Sequence, residues 1–179
     1  DVDAAVKAVR THRPVVTLLT SPNNPTGTAL PLATAQAVLS AAAEHGGLVV
    51  VDEAYAEFRR PGTASALGLL AQYRNLVVTR TMSKAFAYAG ARVGYLVADP
   101  AIVDAVRIVR LPYHLSAVTQ AVASAAIAHA GELLAQVAAL RNERDATVEW
   151  LRAQGFIAAD SDANFVLFGR FDDRHVVWQ

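Results

Sequence analysis

Three short runs of apolar, largely β-branched residues set the tightest limit on how this chain folds: Val15-Val16-Thr17-Leu18-Leu19-Thr20, Leu48-Val49-Val50-Val51 and Leu76-Val77-Val78-Thr79. None alternates polar with apolar, so each reads as a buried strand rather than one half-wetted on an antiparallel sheet. Between the first two, Leu32, Ala35, Leu39 and Ala42 recur at helical spacing. That helix starts at Pro31, suited to a first turn, and stops near Gly46-Gly47. Residues 2–12 read as a helix, 66–72 as a short helix and 93–98 as a fourth strand. Pro100 opens a further helix with Ile102, Val106 and Val109 on one face. A long helical region follows from Ser116 to Ala153, its buried stripe marked by Leu133, Val137, Leu140, Val148 and Leu151. Gly155 ends it, and Asn164-Phe165-Val166-Leu167-Phe168 reads as a strand opening a second, smaller domain. Strand–helix alternation of this kind predicts an α/β fold, a mainly parallel sheet with helices on both faces.

Composition narrows the function classes. The chain has 179 residues, 54% hydrophobic and 18% charged, which supports a sizeable core and argues against disorder. Sixteen basic residues balance 16 acidic ones with no basic block, which argues against nucleic acid or an anionic membrane as the main partner. The absence of cysteine removes disulfides, thiolate metal sites and cysteine nucleophiles, and fits a cytoplasmic enzyme. The 5 histidines are scattered without metal-ligand spacing, so no metal is expected. No stretch approaches a membrane span, and Asp1-Val2-Asp3 resembles neither a signal nor a transit peptide. There is no initiator Met, and His175-Val176-Val177-Trp178-Gln179 stops inside an apolar run, so both ends read as cut. No glycine-rich nucleotide fingerprint is present, which counts against a dehydrogenase on a similar sheet.

Polar residues gather where the strands end. The first strand empties into Ser21-Pro22-Asn23-Asn24, the second into Asp52, and the third into Arg80-Thr81-Met82-Ser83-Lys84. In an open parallel sheet the carboxyl ends share one edge, and ligands bind in the crevice there. An amide, a carboxylate and an amine therefore reach one place. A lysine amine attacks carbonyl carbon when burial or a cationic neighbour favours its neutral form. A carboxylate ending an apolar strand needs a strong partner, and a protonated pyridine nitrogen is one. Asn24 and Tyr55 can hydrogen-bond a ring phenolate oxygen. Thr81, Ser83 and Arg92 supply two hydroxyls and a permanent cation, the set a phosphate ester requires. Together they describe a pyridoxal 5'-phosphate site better than that of any other common cofactor.

Each residue also has a plainer reading. A lone lysine is usually a solvated charge, Asp52 suits a helix N-cap, and 22–27 are all good turn formers. Tyr55 can simply pack beneath the loop, Thr81 and Ser83 can be ordinary loop hydroxyls, and Arg92 can be a surface ion-pair partner. His114 reads as a loop histidine, and Arg141, Glu143, Arg144 and Asp145 as a solvated helix face. The site reading is preferred because the three strand-end motifs occur together.

Ser21-Pro22-Asn23-Asn24-Pro25-Thr26-Gly27, Asp52-Glu53-Ala54-Tyr55 and Thr81-Met82-Ser83-Lys84, with Arg92 after them, resemble the aspartate-aminotransferase-like fold of pyridoxal-phosphate enzymes. Val51-Asp52-Glu53-Ala54-Tyr55-Ala56-Glu57-Phe58, Arg80 to Phe86, Ala89 to Tyr95 and Leu111 to Ser116 resemble the histidinol-phosphate aminotransferases in particular. Ala87-Tyr88 departs from the Gly-Leu often found in that family. The resemblance implies that Lys84 carries the cofactor as a Schiff base and moves the substrate proton, while Asp52 pairs with the pyridine nitrogen. It implies that Asn24 and Tyr55 meet the phenolate oxygen and that Thr81, Ser83 and Arg92 hold the phosphate. The implied reaction moves an amino group between glutamate and imidazole-acetol phosphate in histidine synthesis, in a cytoplasmic homodimer. Residues 1–115 would be the central part of the cofactor-binding large domain, 116–155 a helical connection and 156–179 the start of the small C-terminal domain. The family's substrate-binding arginine and ring-stacking aromatic would lie outside these residues. An aromatic aminotransferase, a threonine-phosphate decarboxylase and a truncated, non-catalytic chain therefore stay open as readings.

Overall fold

A computed structural model describes residues 1–173 of the chain. The apolar runs form a four-stranded sheet in the order β1 (Val16–Thr20), β2 (Leu48–Asp52), β3 (Leu76–Thr81), β4 (Gly94–Ala98). The first three run parallel, as expected, and β4 closes the sheet antiparallel to β3. Gly94 makes that last pairing possible, because a Cβ there would stand 2.7 Å from the Arg80 carbonyl oxygen.

Helices α1 (Val2–His12) and α2 (Leu32–Ala43) cover one face of the sheet. Asp1 caps α1 by accepting from the amides of Asp3 and Ala4, and Pro31 precedes the first turn of α2. The expected α2 stripe is the core: Ala35, Leu39 and Ala42 pack with Val38, Val49, Val51, Leu76 and Val78. Period-two alternation sends the intervening strand residues to the other face. There β1 is not buried as its apolar run predicts, since Leu18 is 74% exposed and Val16 47%. The reason is positional: β1 pairs only with β2, so its outer edge and one face are uncovered.

The short helix expected at 66–72 is a 3-10 turn over Ala66–Leu69. Helix α3 (Pro100–Val109) is capped by Asp99 and runs beside β4, yet contributes no buried residue. The helical region after Ser116 is two helices, α4 (Ala117–Ala128) and α5 (Ala130–Ala153), meeting at 71° around His129. Val137, Val148 and Leu151 of the expected stripe are buried, whereas Leu140 is exposed. No single helix among the described residues is long and apolar enough to cross a membrane.

Two further sequence expectations need correction. Arg144 does not lie on a solvated face: it is buried, and its Nη1 donates to the carbonyls of Phe58 (2.6 Å) and Ala163 (3.0 Å). The helical periodicity of an arginine says nothing about carbonyls that arrive from distant segments. The strand expected over 164–168 is only an isolated bridge between Ala158 and Phe168. Ser161 explains why, because its Oγ accepts from the Ala163 amide and donates to the Phe165 carbonyl, bending the backbone where the strand would begin. The terminal apolar run 175–179 lies outside the described residues.

Candidate active site

Parallel register brings the strand ends level. Thr20 pairs with Asp52 and Asp52 with Thr79, and the bonds from Ser21 N–H to the Asp52 carbonyl and Glu53 N–H to the Thr79 carbonyl (both 2.9 Å) extend the ladder to the polar residues. The Asp52 side chain stays exposed, its Oδ1 accepting from the Ala54 amide (3.1 Å) and from Thr79 Oγ1 (3.3 Å). The first of these turns the chain out of β2, so one carboxylate both ends the strand and is presented at its edge.

The loop after β1 folds upon Asn23. Its Nδ2 donates to Thr20 Oγ1 (2.8 Å), its Oδ1 accepts from Thr26 Oγ1 (2.9 Å), and its carbonyl accepts from the Gly27 amide (2.8 Å). That leaves the neighbouring Asn24 exposed and free to reach across the edge, where Nδ2 donates to Tyr55 Oη at 3.2 Å. The Lys84 Nζ lies 5.5 Å from the centroid of the same Tyr55 ring. Phe165 meets Tyr55 edge-on, with centroids 5.3 Å apart. Three expected site residues from three separate segments are thus gathered about one phenol ring.

Lys84 reaches this position on a loop pinned from both sides. Met82, Ala85 and Val93 are buried, the Met82 amide donates to the Val93 carbonyl (3.1 Å) and the Tyr88 amide to the Met82 carbonyl (3.1 Å). Lys84 itself is exposed, and its ammonium has no ion pair or hydrogen bond among the described residues. Thr81 and Ser83 belong together: Thr81 Oγ1 donates to Ser83 Oγ (2.9 Å) and accepts from the Ser83 amide (3.1 Å). Arg92 stands at the far end of the loop in the left-handed region, φ 55°, with Nη1 on the Ala89 carbonyl (3.2 Å) rather than on either hydroxyl. Ala87, at φ 50°, is left-handed too. Two non-glycine residues in that region cost about 1–2 kcal/mol each, so the surrounding contacts hold the loop in a conformation its residues disfavour.

Behind the edge lies a charged cluster whose pairing the quoted motifs do not show. Glu53 is 1% exposed. Its Oε2 accepts from Arg80 Nη2 (2.7 Å) and Nε (3.1 Å), and its Oε1 from the Ala66 amide (2.8 Å) and Arg59 Nη1 (3.3 Å). Arg80 Nη1 continues to Glu57 Oε1 at 3.2 Å. Burial disfavours the Arg80 cation, but hydrogen bonding and attraction to Glu53, with Glu57, outweigh it and hold its pKa above the ordinary value.

A second buried acid, Asp162, ties residues 160–165 to the site. Its Oδ1 accepts from the Arg60 amide (2.9 Å) and Thr63 Oγ1 (3.2 Å), and its own amide donates to the Gly27 carbonyl (2.6 Å). Burial pushes the Asp162 carboxyl up, yet the Arg60 amide and guanidinium prevail and hold it below the ordinary carboxylate range. Sequence reading missed Asp162 and Phe165, because their partners lie about a hundred residues away. Among the described residues no group of three or more His, Asp or Glu could hold a metal ion.

Comparison with known proteins supplies an independent measure. The family model for class I and II aminotransferases matches residues 1–179. The chain is 69% identical over 179 residues to the histidinol-phosphate aminotransferase of Thermobifida fusca, covering 100% of this chain and 48% of that protein. It is 60% identical over 178 residues to histidinol-phosphate aminotransferase 3 of Burkholderia lata, covering 99% and 47%. Among solved structures, histidinol-phosphate aminotransferase from Sinorhizobium meliloti in complex with pyridoxal-5'-phosphate superposes with a TM-score of 0.81 at 29% identity, over 94% of this chain and 46% of that one. The enzyme from Clostridium acetobutylicum gives 0.80 at 26% identity, over 94% and 51%. The chain spans about half the length of the curated relatives it matches.

Proposed function

This chain belongs to the class I and II aminotransferases, and from that premise we propose that its gene product is a pyridoxal-phosphate-dependent histidinol-phosphate aminotransferase. It would move an amino group between glutamate or 2-oxoglutarate and imidazole-acetol phosphate or L-histidinol phosphate. The observation that carries the reading is the gathering of Asn24 and Lys84 about Tyr55 at the sheet edge where Asp52 ends its strand. High identity along the whole chain to relatives of that name supports the substrate.

The donor set fits the cofactor. Lys84 is an exposed amine free of ion pairs among the described residues, as covalent attachment to a carbonyl requires. Asp52 presents a carboxylate at the edge, suited to hold a pyridine nitrogen protonated. Asn24 and Tyr55, already hydrogen-bonded to each other, offer an amide and a phenol to the ring oxygen. Thr81, Ser83 and Arg92 offer hydroxyls and a guanidinium to a phosphate ester. When bound, the cofactor supplies an electron sink that acidifies the C–H of the substrate amino acid. Lys84 would hold the cofactor at rest and, once displaced by the incoming amine, take and return the substrate proton at Nζ. Asp52 would keep the ring oriented and charged throughout.

Residues 1–115 are proposed as the central part of the large domain, 116–155 as the connection and 156–179 as the start of the small domain. A cytoplasmic homodimer is the proposed assembly. Borohydride reduction of the gene product with pyridoxal phosphate, followed by peptide mass spectrometry, should label Lys84. Label on another lysine, or none, would refute the assignment. Comparing half-reactions with histidinol phosphate and phenylalanine tests the substrate, and faster conversion by phenylalanine would make the enzyme an aromatic aminotransferase.

A further inference from the structure

We propose that Glu53 and Arg80 form a buried cross-brace that positions Asp52 and the Thr81–Lys84 loop against each other, and so tunes how the cofactor is held. This rests on the cofactor reading above and adds two positioning residues to it.

Strand alternation makes the juxtaposition specific. Asp52 and Thr79 pair across β2 and β3 and share one face, joined by the bond from Thr79 Oγ1 to Asp52 Oδ1. The residues that follow, Glu53 just past the end of β2 and Arg80 on β3, therefore turn to the opposite face, Glu53 N–H still bonded to the Thr79 carbonyl. There the Arg80 fork closes on a single carboxylate oxygen through Nε at 3.1 Å and Nη2 at 2.7 Å. Glu53 adjoins the ring-nitrogen partner Asp52, and Arg80 adjoins Thr81, which opens the loop bearing Ser83 and Lys84. The brace is thus one residue removed from both halves of the site.

Its chemistry is poorly suited to mere packing. Glu53, Glu57, Arg59 and Arg80 bring two negative and two positive charges into an environment where Glu53 is 1% and Arg80 14% exposed at the side chain. Apolar residues of similar volume would fill such a space at least as stably, since burying ions forfeits their hydration. What a forked ion pair adds is direction, because its bonds fix distance and orientation together. The Ala66 amide (2.8 Å) and Ser65 Oγ (2.8 Å to Oε2) further fix the Glu53 carboxylate, so it cannot follow Arg80 if β3 slides.

The test uses the full gene product with pyridoxal phosphate as the probe. Glu53→Gln keeps the volume and removes the charge, whereas Arg80→Lys keeps the charge and removes the fork. Leu39→Ala, a core substitution on α2 that leaves every hydrogen bond of the brace in place, is the destabilised control. Pyridoxal-phosphate affinity, the visible circular-dichroism band of the bound cofactor and the apo melting temperature are measured for each. Glu53→Gln and Arg80→Lys should weaken affinity tenfold or more and alter the band. Leu39→Ala should lower the melting temperature with affinity within twofold of wild type and the band unchanged. If Glu53→Gln does not fold, Arg80→Lys decides alone. Wild-type affinity and band in the brace variants, or equal changes in Leu39→Ala, overturn the brace while leaving the cofactor site standing. A wild-type protein that takes up no pyridoxal phosphate overturns both.

Discussion

Replacing Gly27 by alanine tests how the loop carrying Asn24 is held. Gly27 is buried at φ +75°, and a Cβ there would stand 2.5 Å from Ser161 Oγ and 3.0 Å from Ser161 Cβ. Ser161 has nowhere to go: it is 2% exposed, and its Oγ is engaged by the Phe165 carbonyl (2.7 Å) and the Ala163 amide (3.1 Å). The left-handed backbone costs an alanine about 1–2 kcal/mol, and forcing a methyl into a filled space costs about 1–3 kcal/mol more. Gly46 separates the two contributions, with φ +77° and nothing within 4 Å of its would-be Cβ. Gly27→Ala should therefore destabilise the gene product by about 2–5 kcal/mol, and Gly46→Ala by only about 1–2 kcal/mol. Urea denaturation of both variants measures the difference. Adding Ser161→Ala to Gly27→Ala removes the 2.5 Å contact and should return part of the loss, as a favourable coupling in a double-mutant cycle. Equal destabilisation by the two glycine replacements, or a cycle with no coupling, would refute close packing between the Asn24 loop and residues 161–165.

Two further outcomes follow from the same geometry. Asp162→Asn should cost about 1–3 kcal/mol by turning an acceptor of the Arg60 and Thr63 donors into a partial donor. Because the Asp162 carboxyl is held below its ordinary value, its contribution is fully present above the unfolded pKa of about 4 and fades as pH falls through the folded one. The gap between the melting temperatures of wild type and Asp162→Asn should therefore begin to narrow as pH falls below about 4, and a gap that stays constant into stronger acid would contradict this. Tyr55→Phe removes the oxygen that accepts from Asn24 at 3.2 Å. It should weaken pyridoxal-phosphate binding about 2- to 12-fold, the equivalent of one neutral hydrogen bond, while Lys84 is still labelled. Unchanged affinity in an absorbance titration would remove Tyr55 from the ring contacts.

Sequence alone determined the parallel strands, the helices α1 to α3 and the sheet edge where the candidate site residues gather. These follow from local periodicity and from polar residues placed directly after apolar runs, both of which are written along the chain. It also named Asn24, Asp52, Tyr55 and Lys84, since a strand end shows the chemistry it presents. Tertiary structure decided what distant segments do to one another. Glu53 and Arg80 stood in the motifs without a role of their own until strand register turned them onto a common buried face. Arg144 read as solvated until the carbonyls of Phe58 and Ala163 met it. Ala87, only a departure from a family pattern in the sequence, proves to sit at φ 50°, where glycine would be free of strain. The expected strand at 164–168 yielded to the hydrogen bonds of Ser161, and Asp162 and Phe165 acquired partners only through folding. A side chain's type is fixed by the sequence, but whether a charge is buried, paired or presented depends on groups that only the packed chain brings within hydrogen-bond distance.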